Sequence, residues 1–477
     1  MPTHGARPAL VLVSVALAQF TATLDMTVVN VALPAMDAGL GLGRSLSWVV
    51  NGYALAFGGL LLLGGRAADL FGHRRLLLAG TALFALASLG GGLAREPWQL
   101  IAARAVQGAG AAAFVPAALA LLTVTFAAGP ARHRALGVYS AVSAVGGSAG
   151  VLVGGLLAEY AGWRAVMLVN LPLALTVVGT ALAGAPADRG HRARLDVPGA
   201  VLATAGAGLL ILGVVRTGDT GWTDPGTLAT LGVAAVALAA FAVWEGRAAQ
   251  PLVRPGLLAR RAVAGANLFM LLLSAGQFAA FYFVSLYLQE VLRLGPAEAG
   301  LAFLPMCAVV YAGIRASTRL LPAVGVRALL VPSGLLSAAG FGWLALLGAP
   351  GSFAGDVLGP SLLLGAGLGI GFVPLTAAAT GGLPPHEAGT ASAVLSSSRQ
   401  LGGALGLAAL TSIQTAHTTT LLGQGDPPLS AATSGYALGL ALAGALTLLT
   451  LLTTPLLPTR TKTTRTPTAD PRVQEPT

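Results

Sequence analysis

The chain alternates long apolar runs with short polar breaks along almost its whole length. A helix that crosses a bilayer needs about 20 apolar residues, and only helices or closed barrels satisfy their backbone polar groups in lipid. The runs here are too long for barrel strands, so the pattern predicts helices. Six come first: Ala9–Leu33, Leu46–Gly64, Leu76–Leu93, Trp98–Leu122, Ala135–Leu157 and Ala165–Ala185. Pro198–Val215 and Gly226–Trp244 follow, then a basic connection from Arg247 to Arg261. Six more complete the set: Val263–Leu288, Ala299–Ser317, Ala328–Leu347, Val357–Ala379, Gly389–Thr411 and Gly435–Leu457. The expected fold is therefore an all-α membrane protein of fourteen spans. It divides into a six-helix bundle over 1–186, an inserted helix pair with its loops over 187–261, a second six-helix bundle over 262–457, and a disordered tail over 458–477.

One position breaks the first run. Asp25 sits within Leu24–Pro34, with apolar sequence continuing for eight residues beyond it, interrupted by Thr27 and Asn30. A carboxylate at the centre of a membrane helix costs roughly 2.5–3.5 kcal/mol on insertion scales, so such a group faces a wet cavity, an ion path or a partner. The competing explanation is an aspartate at a helix end. The run is also long for a signal peptide and is charged where such a segment should not be, so it reads as a retained span.

Composition agrees with the hydropathy pattern. The 477 residues are 55% hydrophobic and 9% charged, against roughly 25% charged in a soluble domain. The net charge of +10 would suit nucleic acid, but the basic residues stand in short groups between apolar runs without interleaved aromatics. Topology accounts for them. With the N-terminus inside, twenty of the 27 basic residues fall on the cytoplasmic side, including Arg66, Arg74, Arg75, Arg132, Arg134, Arg189, Arg192, Arg194 and Lys462. Five fall outside (Arg44, Arg95, Arg164, Arg216 and Arg293), and Arg104 and Arg399 fall within spans. An odd number of spans would destroy that asymmetry. Both termini are thus expected in the cytoplasm of a cell whose inner membrane holds the chain. Cys307 is the one cysteine, which excludes an intramolecular disulfide.

The two outer sets of six are internally related. Phe114-Val115-Pro116 recurs as Phe372-Val373-Pro374, and Ser140-Ala141-Val142 as Ser392-Ala393-Val394. Gly150 and Gly154 are matched in register by Gly402 and Gly406, and the turn at Gly72 to Arg74 by Gly325 to Arg327. Repeats of this kind are the usual build of secondary transporters.

Four stretches together resemble the major facilitator superfamily, in its fourteen-span drug:proton antiporter branch, and the resemblance covers nearly the whole chain up to the tail. The loop from Gly65 through Asp69 and Gly72 to Arg74 is similar to the family's GxLaDrxGrkr loop, departing from it at Ala67, Leu70 and His73. As a tight turn with a carboxylate among cations, it is suited to latch one half against a helix end of the other. The second stretch, Leu100–Gly110 with Arg104 and Gln107, resembles the fourth-span motif whose arginine the family links to proton transfer. Asp25 lies nine residues before Pro34 and Arg104 seven after Pro97, so both sit about 10–14 Å from the same face. They are placed to meet. A neighbouring cation weakens an acid's hold on its proton and desolvation strengthens it, so separating or drying such a pair changes proton affinity. A static ion pair holding the bundle together is the alternative.

The third stretch is a glycine seam. Gly137, Gly146, Gly150, Gly154 and Gly155 fit the spacing of the antiporter motif G(x8)G(x3)GP(x2)GG, with Val151 where the family has proline. Small residues allow close approach of helices, here expected between the halves. The fourth is the Asp25 stretch itself, with Asn170 to Pro172 and Leu286 to Glu290 near family patterns. The cavity residues expected on this plan are Asn30, Gln107, Arg399, Gln400, Phe278 and Tyr282. Arg399 and Gln400 serve equally as inter-helix hydrogen bonders, and the two aromatics as packing. There is no phosphate-binding GxxxxGK[ST] and no histidine cluster, so neither ATP drive nor a metal is expected. The resemblance implies an efflux antiporter rather than an enzyme, acting as a monomer without cofactor, whose partners are a small hydrophobic substrate, protons and the lipid bilayer, and not nucleic acid. A proton-coupled importer or a metabolite exporter on the same scaffold is the alternative.

Overall fold

The structure is a computed structural model describing residues 7–126, 129–186, 196–248, 251–383 and 385–459. The expected tail beyond 459 and the basic residues Arg189, Arg192, Arg194 and Lys462 lie outside the described residues. The chain is all-helical there: α1 Pro8–Leu40, α2 Leu46–Phe71, α3 His73–Gly92, α4 Pro97–Thr125, α5 Pro130–Tyr160, the short α6 Trp163–Leu168 and α7 Asn170–Gly184. The series continues with α8 Val197–Thr220, α9 Pro225–Arg247, the one-turn α10 Pro255–Leu258, α11 Arg261–Leu286, α12 Pro296–Val324, α13 Val326–Leu344, α14 Gly359–Thr380, α15 Pro385–Gly423 and α16 Pro428–Leu449.

Prolines begin α1, α4, α5 and α9, where the missing N–H is no loss and the fixed φ suits the first turn. Gly72 and Gly325 make the equivalent sharp turns into α3 and α13 with φ of 92° and 84°, a region open to glycine. The helices overrun the predicted spans, α1, α2 and α12 by about two turns and α15 by about three. Among the described residues, thirteen helical segments are long and apolar enough to cross a membrane, α6 and α7 together forming one of them. The predicted span Gly389–Thr411 lies inside α15, which is not among the thirteen although it runs for 39 residues. Polar positions from Ser396 to Gln400 and from Gln414 to Thr420 lower its hydropathy, and it is sheltered by α2, α8, α11 and α16.

Helices α1 to α7 pack mainly on one another, through α1 on α5 and α7 and through α4 on α2 and α3. Helices α11 to α16 form a second group, through α13 on α14, α11 on α15 and α12 on α14. The pair α8–α9 lies against α2 and α15, joined by a small apolar cluster of Ala54, Ile211, Ala404 and Ala408. The repeat read from the sequence is visible in the packing. Gly150 and Gly154 of α5 seat the backbone of α1 at Leu24 and Val28, and Gly402 and Gly406 of α15 seat α11 at Leu271 and Ala275. A side chain at any of these four positions would collide with backbone.

Candidate functional site

Asp25 is fully buried inside the first group of helices, where it is surrounded by donors. Arg104 Nη1 donates to its Oδ2 at 2.6 Å, and Asn170 Nδ2 and Gln107 Nε2 donate to its Oδ1 at 2.7 and 3.4 Å. Asp25 is 0% exposed and Arg104 2%. An arginine in lipid depth needs acceptors for its donors; here Nε reaches the Val49 carbonyl at 3.0 Å and Nη1 also reaches Gln107 Oε1 at 2.9 Å. The guanidinium lies 4.6 Å from the centre of the Tyr53 ring, a cation–π distance. Gln107 is fixed from behind by donating to Ser88 Oγ at 2.6 Å. Five helices, α1, α2, α3, α4 and α7, thus place one carboxylate on one cation. Not every group is satisfied: Tyr53 Oη and Asn170 Oδ1 have no hydrogen-bond partner. A water entering the site would find both oxygens open to a hydrogen bond.

The pairing of Asp25 with Arg104 agrees with the depth arithmetic. Its setting differs from a cavity acid, since the side chain is turned into the first group and not toward the second. Asn170 and Ser88 were missed as members. Asn170 carried a signal, being an amide within the apolar run from Ala165 to Ala185; Ser88, one of many serines, carried none.

The six expected cavity residues are not brought to one place. Gln107 belongs to the Asp25 cluster. Asn30 Nδ2 donates back to the Met26 carbonyl of its own helix at 2.8 Å. Phe278 lies against Gly403, and Tyr282 is buried beside a cavity of about 60 Å³ shared with Ser47, Thr411 and Gln414. That volume holds a few waters, not a drug-sized molecule. Gln400 is buried, with its amide 3.9 Å from the Met26 sulfur, and joins α15 to α1. Arg399 is half-buried, and its Nε has no hydrogen-bond partner.

Polar contacts between the two groups cluster at the end that carries Pro34, Tyr160 and Pro296. Ser285 Oγ donates to the Asn30 carbonyl at 2.9 Å and Gln289 Nε2 to the Val31 carbonyl at 3.0 Å. Pro34 explains the first: it stands four residues after Asn30 and has no N–H, so that carbonyl is left without its helical donor. Gln289 lies on a π-turn at Tyr287–Val291 that ends the helical run of α11. Beside them the Ala297 N–H donates to Glu159 Oε2 at 2.8 Å, and Gly155 lies against the backbone of Pro296 and Ala297.

The glycine seam therefore sits elsewhere than expected. Gly146, Gly150 and Gly154 pack on α1 within their own group, and of the four it is Gly155 that meets the second group. Spacing shows which face of a helix is small but not which helix it meets. Val151, at the position of the family's proline, is buried with its carbonyl against Gly300 of α12. The expected latch makes contacts inside its own group. Asp69 is 59% exposed at its side chain and faces His73 Nε2 at 3.6 Å, while Arg74 donates to the Leu182 carbonyl at 3.1 Å. Gly65 keeps open space beside Pro116, and Gly72 makes the turn.

Comparison with known proteins places these features. The family model described as Major Facilitator Superfamily matches residues 15–407. The chain is 46% identical over 417 residues to the cephamycin export protein CmcT of Amycolatopsis lactamdurans, covering 86% of this chain and 85% of that one. It is 41% identical to the puromycin resistance protein pur8 of Streptomyces alboniger, covering 94% and 92%. It is 33% identical to the tetracenomycin C resistance and export protein of Streptomyces glaucescens, covering 85% and 75%. Among solved structures, a bacterial homolog of the human lysosomal transporter Spinster, in an inward-facing and unoccupied conformation, matches with a TM-score of 0.65 over 94% of this chain and 96% of that one. At 17% identity that likeness concerns the fold alone.

Proposed function

Because the chain belongs to the Major Facilitator Superfamily, we propose that it is a proton-coupled secondary transporter exporting small hydrophobic drugs or antibiotics from the cell. The observation that carries the reading is the buried Asp25–Arg104 pair, an acid and its cation held at membrane depth by five helices. The named export and resistance proteins support the direction and the substrate class.

In this reading α15 completes fourteen spans, arranged as two six-helix bundles with α8–α9 inserted between them. The chain sits in the inner membrane with both termini in the cytoplasm, the side favoured by its basic residues. The end closed by Ser285 and Gln289 is then the outer one, and the molecule faces inward. Substrate enters between the bundles, past Asn30, Phe278, Arg399 and Gln400. When the transporter turns outward, a proton reaches Asp25 and neutralises it. Arg104 then loses its strongest acceptor but keeps Val49 and Gln107, so the cation is not stranded. Return to the inward state and release of the proton restore the pair. The loop at Asp69, Gly72 and Arg74 closes the inner side in the outward state, with Gly65 allowing its approach. One buried acid per cycle favours neutral or singly charged cargo.

Transport by purified protein in liposomes tests this: an imposed proton gradient drives uptake into inside-out vesicles, and Asp25→Asn abolishes the dependence on the gradient. Flux indifferent to the gradient, or unchanged in Asp25→Asn, contradicts it. Flux in the opposite direction would favour the importer that the same scaffold permits.

A further inference from the structure

Away from Asp25, the α8–α9 pair buries two carboxyls that the mechanism above does not use. Asp196, which caps α8, is 8% exposed, and Glu245, near the end of α9, is 6% exposed. One oxygen of each is well supplied. Asp196 Oδ1 accepts from the Trp244 indole at 2.7 Å and from the Gly199 N–H at 3.0 Å, and Glu245 Oε2 accepts from the Val253 N–H at 3.1 Å. The other two, Asp196 Oδ2 and Glu245 Oε1, have no donor. They converge on one point: a Cβ built on Gly199 would lie 2.5 Å from the first and 2.9 Å from the second. Both free oxygens therefore face the same point on the first turn of α8.

No cation compensates them among the described residues. The surrounding elements present apolar groups, Leu62 and Leu63 from α2, Val394 from α15, and Leu252 and Val253 from the connector. Arg254 and Arg260, the next cations of the connector, face Glu387 at 3.6 Å each, and Arg247 is exposed at the end of α9. Two ionised carboxylates are acceptors only, so they cannot bond each other, and two like charges out of water oppose one another. A single proton resolves both problems, because it turns one orphan oxygen into a donor for the other.

We propose that Asp196 and Glu245 form a proton-binding site that holds one proton between Asp196 Oδ2 and Glu245 Oε1 at neutral pH. The bound proton fastens α9 to α8 and, through the Val253 N–H, ties the connector at 251–253 to the pair. The connector leads through Arg254 and Arg260 to Glu387 in the first turn of α15, so losing the proton loosens the inserted pair from the second group. The site is independent of Asp25 and does not rest on the export reading.

Infrared difference spectroscopy of the full-length protein tests it. At pH 7 the wild type shows the C=O stretch of a protonated carboxylic acid, shifted in D2O, and E245Q and D196N each lose that band while D25N keeps it. A wild type without such a band, or one whose band survives in both E245Q and D196N, overturns the proposal. Thermal unfolding against pH is a second readout and needs no spectroscopic assignment. A proton held by the folded chain but released by an ordinary unfolded carboxyl above about pH 4.3 makes stability fall as pH rises to the titration of the pair. E245Q, whose amide supplies a permanent donor, flattens that slope. Equal slopes in wild type and E245Q refute the site, and if E245Q does not fold, D196N carries the same comparison.

Discussion

Replacing Asp25 by Asn removes one charge of a pair whose atoms are 2.6 Å apart and keeps the shape. At an effective dielectric of about 20 the attraction lost is on the order of 6 kcal/mol. Part of it is returned, because the ionised acid no longer has to be kept out of water, and measured losses on breaking one side of a buried pair are about 3–5 kcal/mol. Asn retains an acceptor for Arg104, and the guanidinium keeps Val49 and Gln107, so the expected loss lies at the lower end, about 3 kcal/mol. R104Q should cost a similar amount. The double variant D25N/R104Q should cost much less than the sum, because each single change leaves the other partner without its counter-charge. Unfolding in detergent followed by tryptophan fluorescence, arranged as a double-mutant cycle, measures this. Losses that add within about 0.5 kcal/mol would refute the view that the two side chains act as one unit. Transport read beside it separates stability from coupling: D25N that folds but pumps without regard to the proton gradient supports a proton carrier, whereas D25N that folds and stays coupled leaves the pair a structural tie.

Three further outcomes are expected. Pro34→Ala gives Asn30 an N–H donor within its own helix and competes with Ser285, weakening the closed end by about 1 kcal/mol, roughly fivefold in population; a disulfide between cysteines placed at 31 and 289 should form more slowly, and an unchanged rate would count against the competition. Gly155→Val sets a side chain against Pro296 and Ala297, so the same end should open, seen as faster thiol labelling at 297 and reduced export; normal labelling would show that α5 can shift to accommodate it. Arg399→Gln removes a half-buried cation whose Nε has no partner, so thermal stability should hold or rise while export falls. A marked drop in melting temperature would mean that the guanidinium is bound after all.

The helices were legible because lipid requires uninterrupted apolar length, and the acid–cation pair because both positions could be counted from a shared face. Contacts that depend on rotation about a helix axis were not legible. Gly146, Gly150 and Gly154 present a small face, yet nothing in their spacing distinguishes α1 from α12 as the neighbour. Gln107 was expected to meet substrate because it is polar at depth; it supports Asp25 instead, because a carboxylate with two oxygens takes up every nearby donor. The latch at Asp69 depends on which end of the molecule is closed, and that is a property of a conformation rather than of a residue pattern. The Asp196–Glu245 pair was passed over because each residue reads alone as a helix-end acid, and the 48 positions between them give no hint of contact.

The closed end also divides its sequence constraints unequally. Two of its inter-group bonds run from side chains of α11 and the π-turn to main-chain carbonyls of α1. Any residue at 30 or 31 offers the same carbonyl, so those two side chains are free to drift without disturbing the acceptors, whereas Ser285, Gln289 and the proline that bares the first carbonyl are not. In a lineage diversifying its cargo, those two positions of α1 can be rewritten while Pro34, Glu159 and the donors of the other group keep the closure intact.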